Sequence, residues 1–323
     1  QYAVGLQNGT FILKDDKNTI LATRKFPKAI TAICAVETFK GVHWAVGVAP
    51  VNTRKGEGAL YLLDTEANIV WEKAIPLYQR RNGKVTTIFT AKKGAETLII
   101  AGAQSWHYYA FSIAGKQIWK QAVYHGATTG AAGDMDGDGT DEIAAGTEYY
   151  YHSIIKDGKV LPHITTSPWV YALAVLDLND DGLKEAVYGR GDGYLYVQTV
   201  DSNPIKTWRL NIGGKPTAIV ELAQGEAKLA VSNALGDITF VDGLGQVKGR
   251  VSLPVSVEDM IRVKQNLYAV CADGYVYKLS QKGVILEKYA YTFSQRSIYS
   301  PKIVANDGQI RVFSGKNVYA IAP

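Results

Sequence analysis

The sequence lacks the features that mark several large protein classes. No apolar run approaches the roughly 18 residues that a membrane-spanning helix needs. Only two cysteines occur, Cys34 and Cys271, and each lies in an apolar, strand-like stretch. Thiols in such stretches are commonly buried and reduced, so we expect two free cysteines rather than a disulfide. Strand-like sequence begins at Gln1 without a leader pattern, as expected of a processed or trimmed chain.

Compact catalytic and nucleotide-binding motifs are also missing from the sequence. It contains no phosphate-binding P-loop, no dinucleotide fingerprint, no Gly-x-Ser-x-Gly elbow and no zinc-ligand pair of the usual spacing. The formal charge of +5 is small and spread along the chain, without a basic tract or an RNA-binding aromatic motif. We therefore expect no nucleic-acid partner.

Segments of helical periodicity are absent, whereas short strand-like runs recur along the whole chain. The 32 glycines among 323 residues are enough to divide a large apolar core with many turns. A signature of two apolar residues followed by Gly or another small residue returns eight times. Its third residue stands at positions 5, 47, 102, 146, 189, 232, 271 and 314. The steps are 39 to 44 residues, apart from one of 55 residues that carries an insertion at residues 49–58.

Each repeat contains about four strand-like runs, one before the signature and two after it. Four strands in a unit of about 40–45 residues is the period of a β-propeller. The sequence therefore predicts an all-β fold, with residues 1–323 forming a single β-propeller of eight four-stranded blades. We expect the ring to be closed between the N- and C-terminal strands. The first repeat lacks its leading strand and the last lacks its closing strand, so seven blades with a spare terminal hairpin is the alternative.

Two acidic stretches suggest metal binding. Residues 134–142, the first acidic loop, read D-x-D-x-D-G-x-x-E, and residues 177–185, the second acidic loop, read D-x-N-x-D-G-x-x-E. Alternating carboxylates can point inward together around a hard cation such as Ca²⁺, and glycines let the backbone fold tightly around it. One copy could be an ordinary acidic turn, but two in register favour a metal site. The predicted ligands are Asp134, Asp136, Asp138, Thr140, Glu142, Asp177, Asn179, Asp181, Leu183 and Glu185.

These loops resemble the calcium loops of FG-GAP and VCBS-type β-propeller repeats, in which the loop joins the first two strands of a blade. An EF-hand does not fit, because its loop has twelve positions and is flanked by helices, whereas strand-like sequence follows both loops here. The resemblance covers two repeats. It implies one or two bound Ca²⁺ ions and no particular activity.

Two tryptophans carry a second resemblance. Trp71 and Trp119 lie in the third strand-like run of their repeats and look like the docking tryptophans of quinoprotein-type (PQQ-like) repeats, which also build eight-bladed rings. The Ala-x-Asp-x-x-Thr-Gly pattern of full members is eroded in this chain. The resemblance therefore implies indole packing between blades, and we expect no bound quinone.

The candidate ligand-binding face follows from the position of the acidic loops. If those loops join strands one and two, the opposite face consists of the loops that join strands two and three or connect successive blades. Aromatic, histidine and arginine residues gather there, although each one alone could be an ordinary strand or packing residue. Aromatic faces would stack on sugar rings and arginines would pair with acidic groups. The candidates are Tyr78, Arg80, Arg81, Trp106, His107, His125, Tyr149, Tyr151, His152, His163, Trp169 and Arg190.

Two classes of function follow. The first is a secreted or cell-surface recognition module that is stabilised by extracellular calcium and binds a glycan or a protein. The second is a polysaccharide lyase, in which Arg neutralises a uronate while His and Tyr act as base and acid in β-elimination. Some lyases, including calcium-rich rhamnogalacturonan lyases, are propellers. The absence of a compact catalytic motif favours recognition, whereas a close His–Tyr pair beside an Arg in a cleft would favour the lyase.

Overall fold

The computed structural model describes residues 1–52, 55–161, 165–201, 207–293, 300–306, 308–315 and 317–321. Every regular element in these ranges is a β-strand, and the strands pair with antiparallel neighbours. None of the described residues belongs to a helix that is long and apolar enough to span a membrane. The chain divides into two compact units, Gln1–Val170 and Tyr171–Pro323.

The first unit contains four sheets, numbered 1 to 4 in chain order. Sheet 1 consists of β1 (Tyr2–Gly5), β2 (Thr10–Lys14) and β3 (Ile20–Lys25). Sheet 2 consists of β4 (Ile30–Thr38), β5 (Gly41–Val48), β6 (Gly58–Leu63) and β7 (Ile69–Ile75). Sheet 3 consists of β8 (Val85–Lys93), β9 (Glu96–Ala103), β10 (His107–Ser112) and β11 (Gln117–Ala122). Sheet 4 consists of β12 (Ala127–Gly133), β13 (Glu142–Thr147) and β14 (Tyr150–Lys156), with β15 (Lys159–Val160) and β16 (Thr165–Ser167) both paired with β14.

The second unit contains sheets 5 to 8. Sheet 5 consists of β17 (Val170–Leu176), β18 (Glu185–Arg190), β19 (Tyr194–Gln198) and β20 (Arg209–Asn211). Sheet 6 consists of β21 (Pro216–Glu221), β22 (Leu229–Asn233), β23 (Asp237–Val241) and β24 (Val247–Ser252). Sheet 7 consists of β25 (Val257–Val263), β26 (Asn266–Cys271), β27 (Tyr275–Ser280) and β28 (Ile285–Ala290). Sheet 8 consists of β29 (Lys302–Asn306), β30 (Gln309–Ser314) and β31 (Asn317–Ile321).

These eight sheets confirm the eight blades predicted from the repeats, and the fold is an all-β, eight-bladed β-propeller. The alternative of seven blades is wrong, because the first and the last repeats each form a sheet of their own. Among the described residues these two sheets have three strands, as expected from the missing leading strand of the first repeat and the missing closing strand of the last. Seven of the eight signatures lie in the strand that follows the leading strand of their sheet, and the first lies in β1, which opens sheet 1.

The small third residue of the signature allows one sheet to pack closely against the next. A Cβ atom at Gly47 would lie 2.8 Å from Val85, and one at Gly102 would lie 2.8 Å from Ala127. Val85 and Ala127 begin the leading strands of the following sheets. Apolar clusters therefore fill the spaces between successive sheets within each unit, and their burial is the main stabilising contribution to such a fold.

The tryptophans predicted to dock between blades do so. The indole N–H of Trp71 donates to the carbonyl of Ile113 in the next sheet, with 2.9 Å between nitrogen and oxygen. The ring of Trp119 packs against Gly158 of sheet 4. A third tryptophan, Trp208, makes the equivalent bond to Gly243 at 2.9 Å in the second unit. Indole packing between neighbouring sheets is therefore a recurrent feature of the fold.

The two cysteines are free, as predicted. Cys34 is half-buried and Cys271 is buried. Burial raises the pKa of Cys34 to about 11, so its thiol is protonated and weakly nucleophilic at neutral pH. Neither thiol contributes to the candidate sites described below.

Candidate functional site

The acidic loops and the candidate ligand-binding loops occupy opposite ends of the strands, as predicted. The first acidic loop joins β12 to β13, and the second joins β17 to β18. In sheets 2 to 4 the other end is built from the links at residues 76–84 and 123–126 and from the turns at residues 104–106 and 148–149. Any ligand of these turns would therefore bind away from the first acidic loop.

An almost continuous row of rings covers this end of sheets 3 and 4. The ring centroid of Tyr78 lies 4.9 Å from that of His107, nearly perpendicular to it, and 6.1 Å from that of Trp106. Trp106 in turn lies 4.8 Å from His125, which stacks on Tyr149 at 4.2 Å. We call these five residues the aromatic row. All five are among the ligand-binding candidates that the sequence predicts, and the structure brings them together.

The aromatic row is open to solvent at several points. Tyr78 is 38% exposed and Tyr149 is 40% exposed. Beside them, Tyr124 is 55% exposed and packs against Tyr151, with ring centroids 4.8 Å apart. Tyrosines that remain this exposed while being fixed by ring contacts offer apolar contact area to a partner at a low cost in conformational entropy.

Trp106 occupies a backbone position at which the equivalent turns of other sheets have glycine. In each of these turns one carbonyl accepts a hydrogen bond from the residue that follows the outermost strand, and in sheet 3 Trp106 accepts from Val123 at 2.7 Å. The residue at this position has a positive φ in every case, 64° at Trp106 and 82° to 100° at the glycines. The equivalent residues are Gly9, Gly193, Gly236 and Gly274.

This position is unfavourable for a large side chain. A Cβ atom at Gly236 would lie 2.5 Å from the carbonyl oxygen of Leu253, and one at Gly9 would lie 2.4 Å from that of Phe26. A bulky residue with positive φ is a true outlier, and such strain costs about 1–3 kcal/mol. The fold therefore imposes a positive φ on Trp106, a conformation that glycine would adopt without this strain.

A second strained turn carries the arginines next to Tyr78. The backbones of Tyr78 and Arg81 exchange two hydrogen bonds of 2.9 and 2.8 Å, which leaves Gln79 and Arg80 at the tip of a two-residue turn. Their φ angles are 45° and 64°, as in a type I′ turn, where Asn-Gly is the usual pair. The turn displays an exposed Arg80 and keeps Arg81 half-buried.

The link that carries this turn is supported by the insertion at residues 49–58, between β5 and β6. The backbone N–H of Gly83 donates to the carbonyl of Gly56 at 2.9 Å. A Cβ atom at Gly83 would lie 1.7 Å from the carbonyl oxygen of Ile75, so only glycine allows this close approach of backbones. Sheet 2 therefore contributes a turn to the same end of the strands as the aromatic row of sheets 3 and 4.

A buried carboxylate that is not among the candidates predicted from the sequence lies beside the aromatic row. Glu148 is only 6% exposed and accepts a hydrogen bond from the side-chain amide of Gln104. Burial raises the pKa of Glu148, and the Arg81 guanidinium opposes that increase. Gln104 and Glu148 each stand two positions after the signature in successive repeats. Their equal position in the repeat makes both residues recognisable from the sequence.

His125 is held in its neutral form. Burial lowers the pKa of His125, and the positive charge of Arg81 lowers it further. His107 also has a pKa lowered by burial, and its Nδ1 lies 2.6 Å from the carbonyl oxygen of Ser105. The site therefore combines two neutral imidazoles, a guanidinium and a buried carboxylate next to exposed aromatic rings.

The remaining candidates for the ligand-binding face lie elsewhere or outside the described residues. His152 is fully buried in β14, and the three residues that follow it in the strand are buried as well. Trp169, between β16 and β17, is 41% exposed. Arg190 belongs to sheet 5, where it pairs with Asp192 at 2.8 Å. His163 lies outside the described residues.

The first acidic loop draws its carboxylates together as the spacing predicted. Asp134, Asp136 and Asp138 each place one carboxylate oxygen within 4.8 Å of the others. The ammonium of Lys156, on β14, contacts Asp136 and lies 2.7 Å from Asp138 and 3.3 Å from Glu142. These oxygen donors suit a hard cation such as Ca²⁺. Lys156 is the cation that they contact in this structure.

Both acidic loops share a local framework of hydrogen bonds. The buried Glu142 accepts from the backbone N–H of Met135 at 2.9 Å, and Glu185 accepts from that of Leu178 at 3.0 Å. In the second loop Asp177 also accepts from the backbone of Gly182 at 2.9 Å. The donor types of both loops fit Ca²⁺, and calcium binding remains a prediction for each.

The whole chain is similar to known propellers in fold but not in sequence. BamB from Moraxella catarrhalis shares 13% identity at a TM-score of 0.71, with 98% of this chain and 89% of that chain covered. Sqt1 from Saccharomyces cerevisiae shares 13% identity at a TM-score of 0.76, with coverage of 98% and 91%. BBS1N, solved in complex with ARL6DN, shares 13% identity at a TM-score of 0.61 and 90% coverage of both chains. No protein-family model matches the sequence, and no curated protein matches it.

Proposed function

We propose that this propeller is a non-catalytic recognition module that binds a protein partner through the aromatic row and the adjacent arginines. The observation that carries the proposal is Trp106, a tryptophan in a left-handed turn position that four other turns fill with glycine. Strained residues persist mainly where they have a role, and the strain here presents an indole beside His125.

The chemistry of the surface supports a protein partner. Tyr, Trp and Arg are the residue types that dominate the binding energy of protein interfaces. Tyr78 and Tyr149 provide partly exposed rings, and Arg80 provides an exposed guanidinium at the tip of its turn. A propeller of similar fold, BBS1N, was solved in complex with the protein ARL6DN, which supports this use of the fold.

The same proposal includes calcium and an extracellular setting. We place one Ca²⁺ in the second acidic loop, with Asp177, Asn179, Asp181, the carbonyl of Leu183 and Glu185 as ligands. These carboxylate, amide and carbonyl oxygens are the ligands that Ca²⁺ prefers. Extracellular modules bind calcium at about 10⁻⁴–10⁻³ M, which suits a secreted or cell-surface protein.

A displayed random-peptide library provides the test. Peptides selected on the wild-type protein should bind the Trp106→Gly and Tyr149→Ser variants at least about tenfold more weakly, because each substitution removes a ring from the row. Phe39→Ser is the matched control, since Phe39 is 94% exposed but lies in the turn between β4 and β5, at the acidic-loop end. If both row variants bind the selected peptides as tightly as the wild type does, the proposed surface is wrong. If no peptide is selected but a glycan binds and loses affinity in the row variants, a protein partner is wrong.

The lyase remains a second candidate because of one contact. His125 and Tyr149 lie with ring centroids 4.2 Å apart, and Arg81 is close enough to lower the pKa of His125. A neutral imidazole can accept the C5 proton of a uronate, a phenol can protonate the leaving oxygen, and a guanidinium can neutralise the carboxylate. Incubation with pectin, ulvan and glycosaminoglycans should then release unsaturated products that absorb in the ultraviolet, and His125→Ala should abolish the signal. A flat absorbance trace with every polysaccharide would exclude this candidate.

A further inference from the structure

Four cationic side chains flank the aromatic row and form no ion pair within the described part of the chain. Arg80 is exposed at the tip of its turn, and Arg81 and Lys84 are half-buried in the same link. Lys120 is exposed on β11, where its ammonium lies 5.6 Å from the ring centroid of Tyr109. Arg80 also has a positive φ, at a position where glycine is usual in this type of turn. These charges are therefore available to a group outside the protein.

Carboxylates at this end of sheets 2 to 4 do not balance that charge. The described links and turns there contain two, Glu57 and Glu148. Glu148 is buried, since a Cβ atom at Gly126 would lie 3.0 Å from its carboxyl carbon and the side-chain amide of Gln104 donates to it. Only Glu57 is exposed. A partner that approaches the row therefore meets mainly positive charge.

The positive charge also acts on the rings of the row. Burial lowers the pKa of His125, and Arg81 lowers it further. Burial lowers the pKa of His107 as well, and Lys120 acts in the same direction. A positive potential that disfavours a charged imidazole favours a carboxylate in the same place.

The opposite end of sheets 2 to 4 carries charge of the other sign. The turns there contain two lysines, Lys40 and Lys116, and seven carboxylates. The carboxylates are those of Asp64, Glu66, Asp134, Asp136, Asp138, Asp141 and Asp157. An acidic chain is therefore attracted to the end with the aromatic row and repelled from the other end.

We propose that the partner of the aromatic row is an acidic peptide segment, whose carboxylates pair with the surrounding cations while a neighbouring apolar side chain lies on the rings. This inference rests on the proposed function, because it concerns the same surface. Arg80 and Arg81 are the main carboxylate-binding groups, since a guanidinium can bind a carboxylate through two parallel hydrogen bonds. The rings provide most of the affinity, and the cations determine which segments bind and how fast.

The displayed peptide library supplies the test. Peptides selected on the wild-type protein should be enriched in Asp and Glu relative to the unselected library. Replacing every Asp by Asn and every Glu by Gln in the strongest of them should weaken its binding at least about tenfold, as should an increase in NaCl from about 0.05 to about 0.5 M. The double variant Arg80→Gln, Arg81→Gln should lose a similar factor for the acidic peptide and bind the amide counterpart as the wild type does.

Lys40→Gln is the matched control. Lys40 is also an exposed cation beside an exposed ring, with its ammonium 5.5 Å from the ring centroid of Phe39, but it lies at the acidic-loop end. This variant should bind the acidic peptide as tightly as the wild type does. If the double variant has a lowered melting temperature, Arg80→Gln alone supplies the readout, because Arg80 is exposed.

The outcomes separate this inference from the proposed function. Row-dependent peptides that are no more acidic than the library would overturn the acidic partner and leave the proposed function standing. Acidic peptides that bind the double variant as tightly as the wild type would overturn it as well. If no selected peptide depends on the row, the proposed function fails and the acidic peptide fails with it. If an oligogalacturonate binds the row and no peptide does, the acidic ligand is a glycan and the peptide is wrong.

Discussion

Trp106 is the residue at which backbone strain and the aromatic row coincide. Replacing it with glycine removes the indole and also the strain of a positive φ, whereas replacing it with alanine removes the indole and keeps a Cβ atom in the strained position. We therefore expect Trp106→Gly to be more stable than Trp106→Ala by about 1 kcal/mol. Denaturant unfolding of both variants measures the difference.

Trp169 provides the control for this comparison, because it is a partly exposed tryptophan that does not have a positive φ. There the order should reverse, with Trp169→Gly less stable than Trp169→Ala by about 0.5 kcal/mol, since glycine has the larger unfolded-state entropy. If alanine is the better substitute at both positions, the turn at Trp106 is not strained.

Glu148 should give the protein a specific pH dependence. Burial raises its folded-state pKa above the ordinary value of 4.5, so its contribution to stability is fully present below pH 4.5 and is lost as the pH rises through the raised value. The free energy of unfolding of the wild type should therefore fall, relative to that of Glu148→Gln, as the pH rises from 4 towards neutrality. Unfolding curves at a series of pH values measure this, and a constant difference would contradict it.

At the scale of single elements, the docking tryptophans contribute through a hydrogen bond as well as through packing. Trp71→Phe keeps an aromatic ring but leaves the carbonyl of Ile113 without its indole donor. Trp119 is the matched control, because its indole N–H makes no hydrogen bond within the described part of the chain. We expect Trp71→Phe to lower the free energy of unfolding by about 1 kcal/mol more than Trp119→Phe does. Equal losses would assign the role of Trp71 to packing alone.

The strands themselves could be predicted because their chemistry is local and repeated. The signature recurs along the chain with turns between its copies. Its small third residue indicates where the next sheet packs closely, as Val85 does against Gly47. The acidic loops carry their own spacing in the sequence. The docking of Trp71 was predictable for the same reason, since the residue type and its place in the repeat are sufficient.

Other features depend on pairing across the sheets and could not be predicted from one stretch of sequence. Lys156 lies 14 residues beyond Glu142 and meets it only through the register of β13 and β14. The sequence predicts His152 as a ligand-binding residue, but the structure buries it fully within β14. The unusual position of Trp106 could be recognised from the sequence, because the aligned turns of four other repeats have glycine there.

For the molecule as a whole, calcium in the second acidic loop should contribute to global stability. Chelation with EDTA should lower the melting temperature, since an ion that binds only the folded state stabilises it by about 2.7 kcal/mol at a hundredfold excess over its Kd. Asp181→Ala should remove this dependence, and magnesium should replace calcium poorly. The melting temperature is measured by calorimetry, and an identical melt in excess chelator would mean that the second loop is a metal-free turn.

The insertion at residues 49–58 shows how such a chain can acquire new specificity. It lengthens a single connection in sheet 2 and supports the turn that displays Arg80, while the apolar clusters between the sheets are made by strands that it leaves unchanged. Segments at this end can therefore grow or shrink independently of the framework. A designer who wishes to build a new binding surface on this framework would do best to vary that one connection first.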